Sequence, residues 1–145
     1  MNSHLTFSQR SRVFALLSLL LGTLLSGQAL SQAVAPTSAK GATTKALGTI
    51  DLAGEIDDLA GRQLRARLVT IEPGGHVAAH SHQGRPTLEY VIQGNVIEIR
   101  NGIEIAHGPG DVVAANHEVS HWWENRGSVP VVLLPVDVFK PEATK

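Results

Sequence analysis

Two histidines separated by a single residue, His80 and His82 in the stretch GGHVAAHSHQGRPTLEYVIQG (residues 74–94), have the spacing of side chains on one face of a β-strand. Alternate residues of a strand point to the same side, so both imidazoles aim at one region above a sheet. Two neutral imidazoles are half of a site for a divalent transition metal. The other half would be His121 in SHWWEN, far downstream, if the sheet folds back and carries a distant strand over the same point. A His-x-His pair alone is more often two hydrogen-bonded or half-exposed histidines. The third histidine tips the reading toward ligation, because one ion satisfies several inward imidazoles at once.

The elements that would position these residues are short strands. Residues 64–71 alternate, with Leu64, Ala66, Leu68 and Thr70 on one side and Arg65, Arg67, Val69 and Ile71 on the other; one face is polar early and both become apolar later. EPGG at residues 72–75 has turn composition, residues 76–82 form the next strand, and residues 83–86 connect it to a strand over 87–93 closed by Gly94. Asn101-Gly102 between NVIEIR and IEIA is the strongest hairpin signal in the chain, since both residues tolerate the positive φ of a type I′ turn. DVVAA, HWWEN and VPVVLLPVDVF supply three more strands, with Pro130 and Pro135 suited to an edge or to strand ends. About nine short strands without helical periodicity predict an all-β sandwich or barrel.

A chain of 145 residues is one domain with an ordinary core. Its formal net charge of −1 offers no electrostatic footprint for nucleic acid, and the absence of cysteine excludes disulfides, thiolate ligands and thiol catalysis. Arg10 and Arg12 precede an apolar run at residues 13–25 (VFALLSLLLGTLL), followed by small residues, which is the layout of a secretory signal peptide over residues 1–33. The apolar body is short for an uncleaved membrane anchor. The mature protein is therefore expected outside the cytoplasm, periplasmic or extracellular, with no membrane contact after cleavage. Residues 34–44 are small, polar and aperiodic and are expected to be flexible; residues 45–145 carry the barrel domain, with a first strand near Lys45.

The residues resemble the cupins, small jelly-roll barrels with two short motifs. Gly74, His80-Ser81-His82, Thr87 and Gly94 keep the spacing of the first motif throughout, and Gly110, residues 116–118, His121 and Asn125 keep that of the second. Thr87 stands where the family has a ligand glutamate, and Asn116 and Glu118 replace a turn's proline and glycine. The resemblance implies a single jelly-roll, or double-stranded β-helix, and a metal on His80, His82 and His121, with open coordination positions. Three imidazoles suit Fe, Zn, Ni, Cu or Mn more than hard Mg or Ca. Glu89 shares the face of Thr87 about 6.6 Å further along the strand and is a possible fourth ligand. Without it the centre keeps three histidines, as in the thiol-dioxygenase branch of the family.

Trp123, Asn125, Arg85 and Thr87 are the substrate-pocket candidates. Strand alternation puts Trp123 and Asn125 on the face of His121 and Trp122 on the other, as sheet packing or a subunit contact. Arg85 suits bidentate capture of an anion, although a solvated loop arginine is the plainer reading. His107 before a turn and His117 within one are expected in solvent, His117 being also a candidate general base at the barrel mouth. His76 shares the face but stands too far from His80, and Tyr90, opposite Glu89, is expected to pack. The function classes are a metal-dependent enzyme, dioxygenase-like or an isomerase or lyase, on a small molecule, and a non-catalytic cupin binding a small ligand or metal. A homodimer is implied by the family resemblance alone.

Overall fold

The computed structural model describes residues 34–141. The leader expected at residues 1–33 lies outside the described residues. Nine strands form one curled antiparallel sheet: β1 (Lys40–Asp51), β2 (Gln63–His76), β3 (His80–Ser81), β4 (Thr87–Gln93), β5 (Val96–Arg100), β6 (Ile103–His107), β7 (Val112–Ala115), β8 (Ser120–Glu124) and β9 (Val131–Phe139). Their order is β6-β5-β8-β2-β9-β4-β7, with β1 added on β2 and β3 on β8. No helix occurs among the described residues. This is the all-β, jelly-roll class that the strand spacing and the motifs predict.

What positions a site in this sheet is a gradient along its inward faces. On β2 the inward positions run Ile71, Val69, Arg67, Arg65; on β9, Val131, Leu133, Pro135, Asp137; on β4, Val91, Glu89, Thr87. Cross-strand pairing keeps like with like, Val69 opposite Leu133 and Val91 opposite Leu133 at one end, Arg65 and Thr87 opposite Asp137 at the other. The apolar end closes into a core of Val69, Ile71, Val91, Val96, Val113, Trp123, Val131 and Leu133. Apolar burial of that kind contributes about 1.5–3 kcal/mol per large side chain, which lets the other end remain polar. The outward faces of β4 and β7 leave Leu88, Tyr90, Ile92 and Val112 exposed, so Tyr90 does not pack as expected.

Several local expectations change. The strand expected near Lys45 is present but starts earlier, taking residues 40–44 out of the stretch expected to be flexible: β1 begins at Lys40 and pairs with β2 from Lys40 opposite His76 to Asp51 opposite Gln63, and the Ala79 amide donates to the Pro36 carbonyl at 2.8 Å. The strand is held by its backbone ladder while its side chains stay almost wholly exposed, so its first residues carry no hydrophobic period. EPGG is a bulge inside β2 rather than a turn, with a register shift against β1 between Lys40 and Ala42. A side chain at Gly75 would meet the Lys40 carbonyl at 2.7 Å, so glycine is what allows β1 to cross there. The strand expected over 76–82 is broken at residues 77–79 and resumes as β3. Pro135 lies in a central strand, not at an edge or an end. It sits where the β2–β9 ladder lapses between Ala66–Val136 and Val69–Leu133, which accommodates its missing N–H. Asn101 and Gly102 have φ of 51° and 83°, the mirror-image turn expected of that pair.

Asn125, proposed for the pocket, serves the fold. It is buried; its Nδ2 donates to the Ile71 and Val129 carbonyls, both at 2.8 Å, and its Oδ1 accepts from the Gly127 amide at 2.9 Å. One side chain thereby ties β2 to the β8–β9 turn. Asn125→Ala is expected to destabilise by about 3 kcal/mol, three buried or part-buried bonds at roughly 1 kcal/mol each. Urea unfolding measures this, and a loss under about 0.5 kcal/mol contradicts the assigned role.

Candidate metal centre

His80 and His121 are direct cross-strand partners, and Ser81 faces Ser120. Opposed residues bring their Cβ atoms to about 5 Å, close enough for two imidazoles to meet. His82 follows β3 at once. Glu89 comes from β4, which β2 and β9 separate from β8, so the curl of the sheet is needed to bring it in. The four residues offer ligand atoms that all lie within 4.8 Å of one another, with His82, Glu89 and His121 buried and His80 partly so. The His82 Nε2 stands 3.2 Å from His80 Nε2 and 2.9 Å from His121 Nε2.

The other ring nitrogens decide what those short distances mean. His80 Nδ1 lies 2.9 Å from the Ala78 carbonyl, His82 Nδ1 3.1 Å from the Arg85 carbonyl, and His121 Nδ1 2.6 Å from Glu98 Oε1. Carbonyl and carboxylate oxygens only accept, so each Nδ1 must carry the proton. In a neutral imidazole that leaves Nε2 bare, and three lone pairs then point at one another. Burial pushes His80 and His82 down from 6.5 to about 4, so both rings are neutral at pH 7. Nitrogens bonded to one ion at about 2.1 Å stand roughly 3 Å apart, which is the separation seen. Glu89 completes the donor set: its Oε2 is buried without a hydrogen-bond partner, 3.9 Å from His121 Nε2, and burial raises its carboxyl above the ordinary value. A cation at the meeting point resolves both the facing lone pairs and the orphaned oxygen. The residues therefore fit a divalent transition metal.

Thr87, at the position of the family's glutamate, does not join them. Its hydroxyl sits 2.9 Å from His82 Nδ1, on the far side of that ring, and donates to the Arg85 carbonyl at 3.0 Å. It orients the ring rather than binding substrate. Trp123 and Arg85 do line a cavity of about 190 Å³ beside His80 and Glu89, together with Arg67, Leu133 and Val77. Thr87 and Asn125 are not on its wall. Trp122 is on the opposite face as expected, but is 6% exposed with Nε1 bonded to Glu124, which leaves little of it for a subunit contact. His117 is 74% exposed and stands off the cavity wall, which removes its candidacy as a general base there. His76 is not among the clustered ligands.

The sequence reading missed Glu98. It is fully buried on β5, diagonal to His121 across the β5–β8 pair. Besides His121 it binds Arg100 Nε at 2.7 Å and His107 Nε2 at 3.0 Å. His107, expected in solvent, is turned inward by this bond and by an edge contact with Trp123. Burial acts to raise the Glu98 carboxyl, but hydrogen bonds from His121, Arg100 and His107 outweigh it and hold it at about 2. A buried anion on Nδ1 fixes the His121 tautomer and makes Nε2 a stronger donor.

A model of the cupin domain family matches residues 67–139. No curated protein matches the chain. Among solved structures, an uncharacterized conserved protein with a double-stranded β-helix domain from Klebsiella pneumoniae is 18% identical over 70% of this chain and 80% of that one, with a TM-score of 0.57. KdgF from Halomonas sp. is 20% identical over 70% of this chain and 81% of that one, TM-score 0.54. A structure from Acidithiobacillus ferrooxidans, 24% identical with TM-score 0.48, is matched by 57% of this chain over only about half of its own length, 53%. Identities this low speak for the fold alone.

Glu98→Gln keeps the shape but loses the charge on His121, and is expected to weaken metal binding 10- to 100-fold in a chelator competition. An unchanged dissociation constant contradicts the orienting role. In the metal-free protein, His80 and His82 take up protons in the unfolded chain near 6.5 but in the folded chain only near 4. Stability is therefore lost as pH falls from about 6.5 to about 4, and Glu98 extends the loss from about 4.5 toward about 2. Denaturant midpoints across that range measure it; a flat profile between pH 7 and pH 4 contradicts the assignment.

Proposed function

The chain belongs to the cupin domain family, and on that footing we propose that it is a metal-dependent enzyme acting on a small molecule, with His80, His82, His121 and Glu89 holding a divalent transition metal. The observation that carries the reading is the convergence of three bare Nε2 atoms on a buried carboxylate oxygen with no other partner. An ion bound there supplies Lewis-acid polarisation suited to isomerase or lyase chemistry, and a redox-active one supplies oxygenase chemistry as well. Among Fe, Zn, Mn, Ni and Cu, the added carboxylate makes the harder ions better matched than three histidines alone would.

The chain's own residues do the rest. Glu98 and Thr87 hold two of the imidazoles in orientation, from Nδ1. Trp123, Val77, Val69 and Leu133 give the cavity an apolar wall, and His80, the partly exposed ligand, stands on the same wall. The signal-peptide layout of residues 1–33 supports assigning this activity outside the cytoplasm, in the periplasm or beyond the cell.

A second reading, a non-catalytic cupin that binds a small ligand or stores metal, is favoured by one observation. Apart from His80, Glu89 and two arginines, the described residues of the cavity wall include no titratable side chain to act as acid or base.

Metal content of the purified mature protein separates these readings from a metal-free barrel. One equivalent is expected in wild type and less than about a tenth of that in His80→Ala and His121→Ala. Turnover of candidate small molecules by the loaded wild type, absent in both variants, then supports the enzyme. Negligible metal in wild type, or equal metal in the variants, contradicts both metal readings.

A further inference from the structure

The cavity beside the metal residues holds a second polar cluster that metal binding does not use. Asp137, fully buried, accepts from three guanidinium groups: Arg65 Nε on Oδ1 at 3.0 Å and Nη2 on Oδ2 at 2.8 Å, Arg67 Nη2 on Oδ2 at 3.1 Å, and Arg85 Nη1 on Oδ2 at 3.1 Å. The three arginine side chains are 18–23% exposed, so the charges are only partly screened. Three cations facing one anion leave an excess of two positive charges.

The excess can be assigned. Arg65 already meets Asp137 fork to fork, the geometry in which one guanidinium satisfies one carboxylate, and its other face stacks on the Phe139 ring at 3.8 Å. Arg67 and Arg85 crowd onto the same Oδ2 through one nitrogen each, and these two, not Arg65, line the cavity beside His80 and Glu89. Arg67 Nε is buried with no hydrogen-bond partner. That nitrogen is closed off from the cavity, so a ligand there would meet the Nη atoms of Arg67 and Arg85, each of which keeps N–H donors beyond the one spent on Asp137. Glu89 does not neutralise them on the reading above, which commits it to the metal. A divalent ion would also outweigh Glu89 and leave the cavity more positive still.

The rest of the wall narrows the chemistry. Among the described residues Thr44 is its one hydroxyl-bearing residue, and Val69, Val77, Leu133 and Pro135 are apolar. A carboxylate offers two oxygens in the plane of a guanidinium fork, and a wall this apolar suits the carbon skeleton that a carboxylic acid carries and inorganic phosphate lacks. About 190 Å³ is room for only a small molecule. We propose that the cavity takes a small carboxylic acid, its carboxylate held by Arg67 and Arg85 next to the metal residues and its carbon skeleton against the apolar wall. The assignment deepens the proposed metal-dependent reading and rests on it for the role of Glu89.

The test is calorimetric titration of the zinc-loaded protein with malonate, its neutral counterpart malonamide, and inorganic phosphate. Malonate is expected to bind one to one and malonamide to give no heat. Arg67→Gln and Arg85→Gln are each expected to weaken malonate at least tenfold while zinc content stays at one equivalent. Arg65 keeps Asp137 paired in both variants, and thermal melting checks that they fold. Malonate affinity unchanged in the two variants, malonamide binding as well as malonate, or phosphate binding more tightly than malonate each overturns the proposal. If zinc does not load, the metal reading fails by itself, and the same titrations on the metal-free protein with the same two variants still decide the carboxylate site.

Discussion

Three acceptors that cannot give up a proton determine the character of this site. The Ala78 and Arg85 carbonyls and the Glu98 carboxylate each take the Nδ1 proton of a histidine, and each thereby turns an unprotonated Nε2 inward. Two of the resulting separations are 2.9 and 3.2 Å, distances at which bare nitrogens repel unless a cation lies between them. Glu89 adds an anionic oxygen that has no other partner. Remove the three acceptors and the same imidazoles would share protons among themselves; with them in place, the cluster is poised for a positive ion. Backbone carbonyls do two thirds of this work, so the fold itself, through the break at residues 77–79 and the turn at residues 83–86, sets the protonation of the site.

The sheet supports this by dividing its interior. At one end valines, Ile71, Leu133 and Trp123 supply the apolar burial that holds the strands together; at the other, the inward positions of the same strands turn to Arg65, Arg67, Glu89 and Asp137. Trp123 spans the division, packed in the core, tilted against the His121 ring at 5.3 Å and present on the cavity wall. A polar interior at one end is tolerable because nearly every charge in it has a partner, and the exceptions, Glu89 Oε2 and Arg67 Nε, lie on residues that line the cavity.

Much of this was legible from spacing. His80, His82 and His121 follow from strand alternation and two ordered motifs, the Asn101-Gly102 hairpin from its turn chemistry, and Glu89 from sharing the face of Thr87 two residues on. What misled was polarity. In NVIEIR the isoleucines alternate with Glu98 and Arg100, a pattern that normally sends the charges to water, yet Glu98 is as fully buried as Ile99, and Ile97 is only half-covered. On β2 the side that is polar early in the strand is the inward one: Arg65 and Arg67 face inward, held by Asp137 from a strand some seventy positions away, while Leu64 is exposed. Such pairs cannot be seen in a local window, because each charge looks solvated until its partner is known. β1 was legible from Lys45 onward but not in its first residues, 40–44, which are held by backbone bonds that carry no side-chain signal.

X-ray absorption on the protein loaded with one equivalent of a divalent transition metal tests the central claim most directly. The account predicts three imidazole nitrogens and at least one oxygen at about 2.0–2.2 Å, with the outer-ring scattering of three histidines lost in part in His121→Ala. A spectrum of oxygen ligands only, or one unchanged by that substitution, would contradict it.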